Sequence, residues 1–213
     1  MKADWAESHW RNREMAELWT LEEEIYKEGF QLICGVDEAG RGPLAGPVCA
    51  AACILPRGLK IEYLNDSKKL TPGKRDELFD IITNNAITFA VAFATVEEIE
   101  SVNILNATYL AMNRAIEELD PVPALALIDG NRSTGIKYPC RTVIKGDASC
   151  ADIAAASILA KVTRDRYMTD LSEEYPGYGF EKHKGYGTAA HYEAIRQLGP
   201  CPAHRMSFLK KMH

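Results

Sequence analysis

Four carboxylates in the sequence stand within or just after short predicted strands: Asp37 and Glu38 in 31–38, Asp129 at the end of 124–129, and Asp147 just after 141–145. A charge in such a place is costly to bury unless it binds a metal or a partner. Alternation along a strand sends Asp37 and Glu38 to opposite sides, so Asp37 can point at a central site while Glu38 reaches around from the flank. Hard oxygen ligands suit Mg²⁺ or Mn²⁺, which bind few protein carboxylates, retain several waters and accept phosphate oxygens. Two such ions ~3.5–4 Å apart can activate a water and stabilise the leaving oxygen of an in-line displacement at phosphorus. The chemistry open to these residue types is therefore phosphodiester hydrolysis. The same positions also suit helix N-caps, turn formers or salt-bridge partners, and the acids alone leave both readings open.

Such acids need elements to carry them. Residues 31–38 read as a buried strand and 48–55 as a second, joined by a turn over 39–47 that contains Gly40, Gly42, Pro43, Gly46 and Pro47. A short connection favours antiparallel pairing, and its glycines permit backbone shapes that other residues resist. Thr71-Pro72 starts a helix that runs to about residue 84, with the cap residue ahead of a proline at the first position. Residues 86–95 read as a third strand, and 96–119 as a short helix followed by a longer one that Pro121 and Pro123 end. Residues 124–129 and 141–145 read as two further strands, each terminating in an aspartate: Asp129-Gly130-Asn131 and Gly146-Asp147. An Ala-rich buried helix over 152–167, a closing segment over 171–175 and a short helix around 188–198 follow, while residues 4–28 lead in with one or two helices. This alternation predicts a mixed α/β sheet in one domain with helical extensions.

Composition narrows the class without naming a function. The 213 residues are 46% hydrophobic and 26% charged, as in an ordinary soluble globular protein. The longest apolar stretches fall far short of the roughly 20 residues of a membrane helix. The first residues show no secretory signal, so the expected location is the cytoplasm. Six scattered cysteines read as buried free thiols, and without a Cys-x-x-Cys pair they do not form a zinc site. The net charge of −5 argues against coating nucleic acid by charge alone. Its distribution is uneven: residues 1–32 carry eight acids and four bases, whereas 161–211 carry nine Lys/Arg, six Asp/Glu and three histidines. The glycine turn is no nucleotide cradle, because Gly40-Arg41-Gly42-Pro43 lacks the Gly-Lys-Ser/Thr ending of a P-loop.

The run Gly35-Val36-Asp37-Glu38-Ala39-Gly40-Arg41-Gly42-Pro43-Leu44-Ala45-Gly46-Pro47-Val48 resembles the opening motif of ribonuclease HII. The likeness continues in order through Asp66-Ser67-Lys68-Lys69-Leu70, Asp129-Gly130-Asn131, Lys145-Gly146-Asp147 and Ala154-Ala155-Ala156-Ser157-Ile158-Leu159-Ala160-Lys161-Val162-Thr163-Arg164-Asp165. His183-Lys184-Gly185-Tyr186-Gly187-Thr188 completes the set, so the resemblance spans about residues 30–209. Ribonuclease HIII is less similar, since the 36 residues before Asp37 are too few for its extra domain.

The resemblance implies a ribonuclease H-like fold, a mixed five-stranded sheet flanked by helices. Residues 30–213 would form the catalytic domain, with a C-terminal helical segment from about 165, after a helical lead over 1–29. Asp37, Glu38, Asp129 and Asp147 would be both the catalytic and the metal-binding set, for Mg²⁺ or Mn²⁺. Gly40, Arg41, Gly42 and Tyr186 would sense a ribonucleotide next to a deoxyribonucleotide. Glycines let the backbone approach a 2′-hydroxyl, and an aromatic ring can stack on a sugar. Lys68, Lys69, Asn131, Arg164, Lys182 and Lys184 would contact substrate, the cations by holding phosphates. The implied activity is endonucleolytic hydrolysis of the RNA strand of RNA·DNA hybrids and incision 5′ of single ribonucleotides in duplex DNA, by a monomer. A non-catalytic module that binds RNA·DNA duplexes would also use the glycine loop and the basic C-terminal segment, but it leaves the four acids unexplained.

Overall fold

The computed structural model describes residues 17–64 and 70–210. Strands β1 (Ile33–Ala39), β2 (Val48–Ile54), β3 (Thr88–Ala94), β4 (Leu125–Asp129) and β5 (Cys140–Val143) form one sheet in the order β3-β2-β1-β4-β5. β2 pairs antiparallel with β1 and β3, whereas β4 pairs parallel with β1 and β5. The helices are α1 (Thr20–Lys27), α2 (Pro72–Asn85), α3 (Val96–Glu117), α4 (Ala151–Glu174), α5 (Phe180–His183), α6 (Ala189–Leu198) and α7 (Met206–Leu209). This is the mixed five-stranded α/β sheet that the sequence predicts.

The central strands are built from small residues because both of their faces are covered. Cys34, Val36, Ala50 and Ala52 share a buried cluster with Ala107, Ala111 and Met112 of α3. Cys49, Ala51 and Cys53 share the opposite one with Ala155, Ile158 and Leu159 of α4. At Gly35 the approach is tightest: a Cβ there would lie 2.1 Å from the backbone of Asp152 and Ile153. Any larger residue would lift α4 off β1, two positions before Asp37.

Helix ends follow local chemistry. Thr71 caps α2 by accepting from the Lys74 N–H, and Thr95 and Glu98 form a capping box at the start of α3. Asn103, at φ 67°, interrupts α3 and accepts from the Leu105 and Asn106 N–H groups, which divides it into the expected short and long segments. The N-terminus of α4 is capped from elsewhere in the chain. Glu22 of α1, fully buried, accepts from Ala151 N at 2.6 Å, Asp152 N at 3.3 Å and Cys150 Sγ at 3.0 Å. A carboxyl at this end satisfies orphan N–H groups and meets the positive end of the helix dipole, while burial raises its pKa.

Two expectations need correction. α4 runs unbroken to Glu174, because its buried face continues through Met168 and Leu171 with no glycine or proline to stop it. β5 stops at Val143, so Asp147 sits in a 3₁₀ turn (Gly146–Ala148) after Lys145 in the left-handed region, not at a strand end. The four-residue helices α5 and α7 are too short for any periodicity to announce them. All six cysteines are free, with Cys34, Cys49, Cys53 and Cys150 buried and Cys140 and Cys201 half-buried. Among the described residues, no helix is long and apolar enough to cross a membrane.

Candidate active site

The parallel β1–β4 ladder pairs Val36 with Ile128, so Asp37 and Asp129 follow one step beyond, at the same end of neighbouring strands. The Gly146 N–H donates to Asp129 Oδ1 at 2.7 Å, drawing the 3₁₀ turn and Asp147 up to them. Asp37, Asp129 and Asp147 thereby each bring a carboxylate oxygen to within 4.8 Å of the others. Asp37 is 4% exposed. Burial, then the charges of Glu38 and Asp129, push its pKa well up, opposed by hydrogen bonds from Ser157 and the Glu38 N–H. All-carboxylate oxygens crowded at this range fit a hard divalent cation, which would relieve the repulsion that the acids impose on one another.

Glu38 stands on the flank, as alternation requires. It lines a groove with Arg41, Tyr109, Met112, Asn131 and Arg132, and accepts from Arg41 Nη1 at 3.2 Å. Its carboxylate lies outside the tight three-acid group. Asn131, exposed beyond Asp129, borders the same groove.

The turn over residues 39–47 is held by two buried guanidiniums. Arg164, 1% exposed, donates to the carbonyls of Pro47 (3.0 Å), Ala45 (3.2 Å) and Lys184 (3.0 Å). Arg205, 0% exposed, donates to those of Gly46 (2.9 Å), Arg41 (3.0 Å) and Gly40 (2.7 Å). Burial pulls both pKa values down, and for Arg205 the Arg164 charge adds to this, yet arginine stays protonated at neutral pH. The resemblance makes Arg164 a phosphate contact, but its side chain is buried with Nε, Nη1 and Nη2 each donating to a backbone carbonyl, and these dipoles offset the cost of desolvating the charge. Gly40, at φ +95°, has no room for a side chain, since a Cβ would lie 1.9 Å from Arg164 Nε. Gly42 differs, for a Cβ there would meet nothing closer than Tyr186 Cε1 at 3.7 Å.

Tyr186 thus stands beside Gly42, 44% exposed, rather than in the core. Its segment is tied to the loop, with the Leu44 N–H donating to the Gly185 carbonyl at 2.8 Å. Lys182 and Lys184 border a second groove with Arg75, Arg166 and the acids Asp76 and Asp165. Lys184 Nζ donates to Thr169 Oγ1 at 2.7 Å, and burial lowers its pKa. Lys68 and Lys69 lie outside the described residues.

Sequence reasoning missed Ser157, Arg205, His191 and His204. Ser157 had a signal, being the lone hydroxyl in the apolar run from Ile153 to Ala160. For Arg205 the signal was weak, a single cation amid small and apolar residues after Pro202.

The sequence model of the family described as Ribonuclease HII matches residues 34–211. Ribonuclease HII of Caldicellulosiruptor saccharolyticus is 55% identical over 192 residues, covering 90% of this chain and 94% of that protein. That of Acetivibrio thermocellus is 52% identical over 194 residues, covering 91% and 76%. Among solved structures, the ribonuclease H2 of Pyrococcus horikoshii OT3 is similar with a TM-score of 0.68 at 29% identity, covering 83% of this chain and 93% of that one.

Proposed function

The chain belongs to the ribonuclease HII family, and on that premise we propose that it hydrolyses the RNA strand of RNA·DNA hybrids and incises 5′ of single ribonucleotides embedded in duplex DNA. The observation that carries this reading is the convergence of Asp37, Asp129 and Asp147 within 4.8 Å, beside a loop whose open glycine faces Tyr186. The three aspartates, with Glu38 from the flank, would hold Mg²⁺ or Mn²⁺. Bound there, the ions would supply activation of a water and stabilisation of the leaving oxygen, for hydrolysis that leaves 3′-hydroxyl and 5′-phosphate ends.

The chain's own groups do the positioning. Ser157 and the Glu38 N–H orient Asp37, and the Gly146 N–H orients Asp129. With the Gly40 and Arg41 carbonyls turned inward to Arg205, the Gly40–Arg41–Gly42 loop presents a fixed outer surface to the 2′-hydroxyl, and Tyr186 stacks on the adjoining sugar. Arg41, Asn131, Lys182 and Lys184, together with Lys68 and Lys69, hold the duplex by its backbone. Residues 30–213 are the catalytic domain of a cytoplasmic monomer, and residues 1–29 a lead whose Glu22 completes the N-terminus of α4.

Incubating duplex DNA containing one ribonucleotide with Mg²⁺ or Mn²⁺, and again with excess chelator, tests this. Metal-dependent incision 5′ of the ribonucleotide with a 3′-hydroxyl is expected. Cyclic-phosphate ends, or cleavage that survives the chelator, would overturn it.

A further inference from the structure

Behind Tyr186 lies a set of buried imidazoles that the reaction does not use. His191 is 0% exposed and His204 2%. Cys201 N lies 3.0 Å from His204 Nδ1, His204 Nε2 lies 3.1 Å from His191 Nε2, and His191 Nδ1 lies 2.9 Å from the Tyr186 carbonyl. His191 is packed between His183, stacked at a centroid distance of 4.3 Å, and Phe180, edge-on at 5.5 Å.

The two ends of this row fix where its protons sit. The Cys201 N–H can only donate, so His204 Nδ1 accepts and its proton is on Nε2, pointing at His191. The Tyr186 carbonyl can only accept, so the His191 proton is on Nδ1, and His191 Nε2 accepts from His204. Both ends give the same direction. The reverse assignment would suit the Cys201 carbonyl, 3.2 Å from His204 Nδ1. It would also set the Cys201 N–H against another proton and His191 Nδ1 against the Tyr186 oxygen, lone pair to lone pair. His183 reinforces the segment separately, its Nε2 at 2.8 Å from the Tyr178 carbonyl and its Nδ1 accepting from the Gly185 N–H at 3.3 Å.

We propose that His191 and His204 are positioning residues for Tyr186: a one-way chain, Cys201 N–H to His204 to His191 to the Tyr186 carbonyl, sets the backbone that holds the Tyr186 ring beside Gly42. This rests on Tyr186 acting as the ribonucleotide sensor. His191 and His204 touch no substrate; they act through Tyr186.

Two measurements on the full chain test it. In ¹⁵N-histidine-labelled protein at pH 7, the ring-nitrogen shifts are expected to show His191 protonated on Nδ1 alone and His204 on Nε2 alone. His191 protonated on Nε2, or as imidazolium, would overturn the chain without reference to activity. In the second, His191→Phe keeps an aromatic ring between His183 and Phe180 but removes the donor, and His191→Asn restores an N–H near the Nδ1 position. The loss of one hydrogen bond predicts about a tenfold fall in kcat/KM on the single-ribonucleotide duplex for His191→Phe, largely recovered in His191→Asn. In a Tyr186→Ala background, His191→Phe is expected to cost less than about twofold more, because coupled residues are not additive. An undiminished effect in that background, or no recovery with asparagine, would overturn the positioning role. Normal cleavage by Tyr186→Ala alone would remove the sensor reading and the proposal with it, even if the ring-nitrogen shifts stood as expected.

Discussion

Asp37 of the acid cluster and the glycine loop, a few residues apart along the chain, face opposite electrostatic problems. At the end of β1, Asp37 is buried against Glu38 and Asp129, charges of its own sign. Beyond it, the charges of Arg164 and Arg205 are buried against carbonyl oxygens. The acids would therefore gain from a cation that relieves their mutual repulsion, whereas the loop is satisfied by the chain itself. Under the proposed function this difference is useful: a metal site must accept an outside charge, and a surface that recognises a 2′-hydroxyl must already be rigid.

The largest expected effect separates the two regions by their response to losing a charge. Asp37→Asn removes a ligand and should lower kcat on the order of 10³-fold or more. The sign for stability is the reverse of the usual: a carboxyl whose folded pKa is raised contributes stability below its unfolded pKa and loses it as pH rises. At pH 7 without metal the variant should therefore melt no lower than the parent, and a large fall in Tm would contradict the account.

Arg205→Ala should do the opposite. It strands the carbonyls of Gly40, Arg41 and Gly46, costing about 3 kcal/mol, or roughly 6–12 °C in Tm for a chain of this size. Calorimetry showing an unchanged Tm would mean that the loop does not depend on the guanidinium.

Two glycine substitutions sharpen the loop side. Gly40→Ala meets positive φ and the Arg164 side chain, and should destabilise by about 1–3 kcal/mol in denaturant unfolding. Gly42→Ala, with only Tyr186 near, should leave stability within about 0.5 kcal/mol and act on cleavage beside the ribonucleotide instead. Equal losses of stability at both positions would erase the distinction.

The remaining effect concerns His191 and shows only as pH falls. Burial, the largest cause, with the neighbouring His183 and His204, pulls its pKa from 6.5 to about 4. A base with a depressed folded pKa contributes stability above its unfolded pKa and loses it as pH falls toward the folded one. On the order of 2 kcal/mol should disappear between pH 6.5 and 4, and His191→Phe should lack that share of the pH dependence. Parallel Tm-against-pH curves for the two proteins would contradict this.

The sequence made the acid side legible and much of the loop's support illegible, for a physical reason. A carboxylate in an apolar strand violates the usual pattern, so Asp37, Glu38 and Asp129 announce themselves. The strands are similarly legible because Val36, Ala50 and Ile128 belong to apolar runs closed by glycine or proline. Arg164, by contrast, reads as a surface cation on a helix, and only the tertiary contact between α4 and the loop turns it inward. Arg205 lies 159 positions from the Gly46 carbonyl that it holds, a pairing no local pattern encodes. Asp147 was found by type but placed on the wrong element, because the 3₁₀ turn that carries it is three residues long.

The most direct test is a calorimetric titration of Mn²⁺ or Mg²⁺ into the protein and into Asp37→Asn at pH 7, with Tm followed in parallel. Binding to the parent that raises its Tm, and that is lost or strongly weakened in Asp37→Asn, is the predicted result. Equal binding to both, or binding to neither, would contradict the claim that Asp37, Asp129 and Asp147 hold a divalent metal ion.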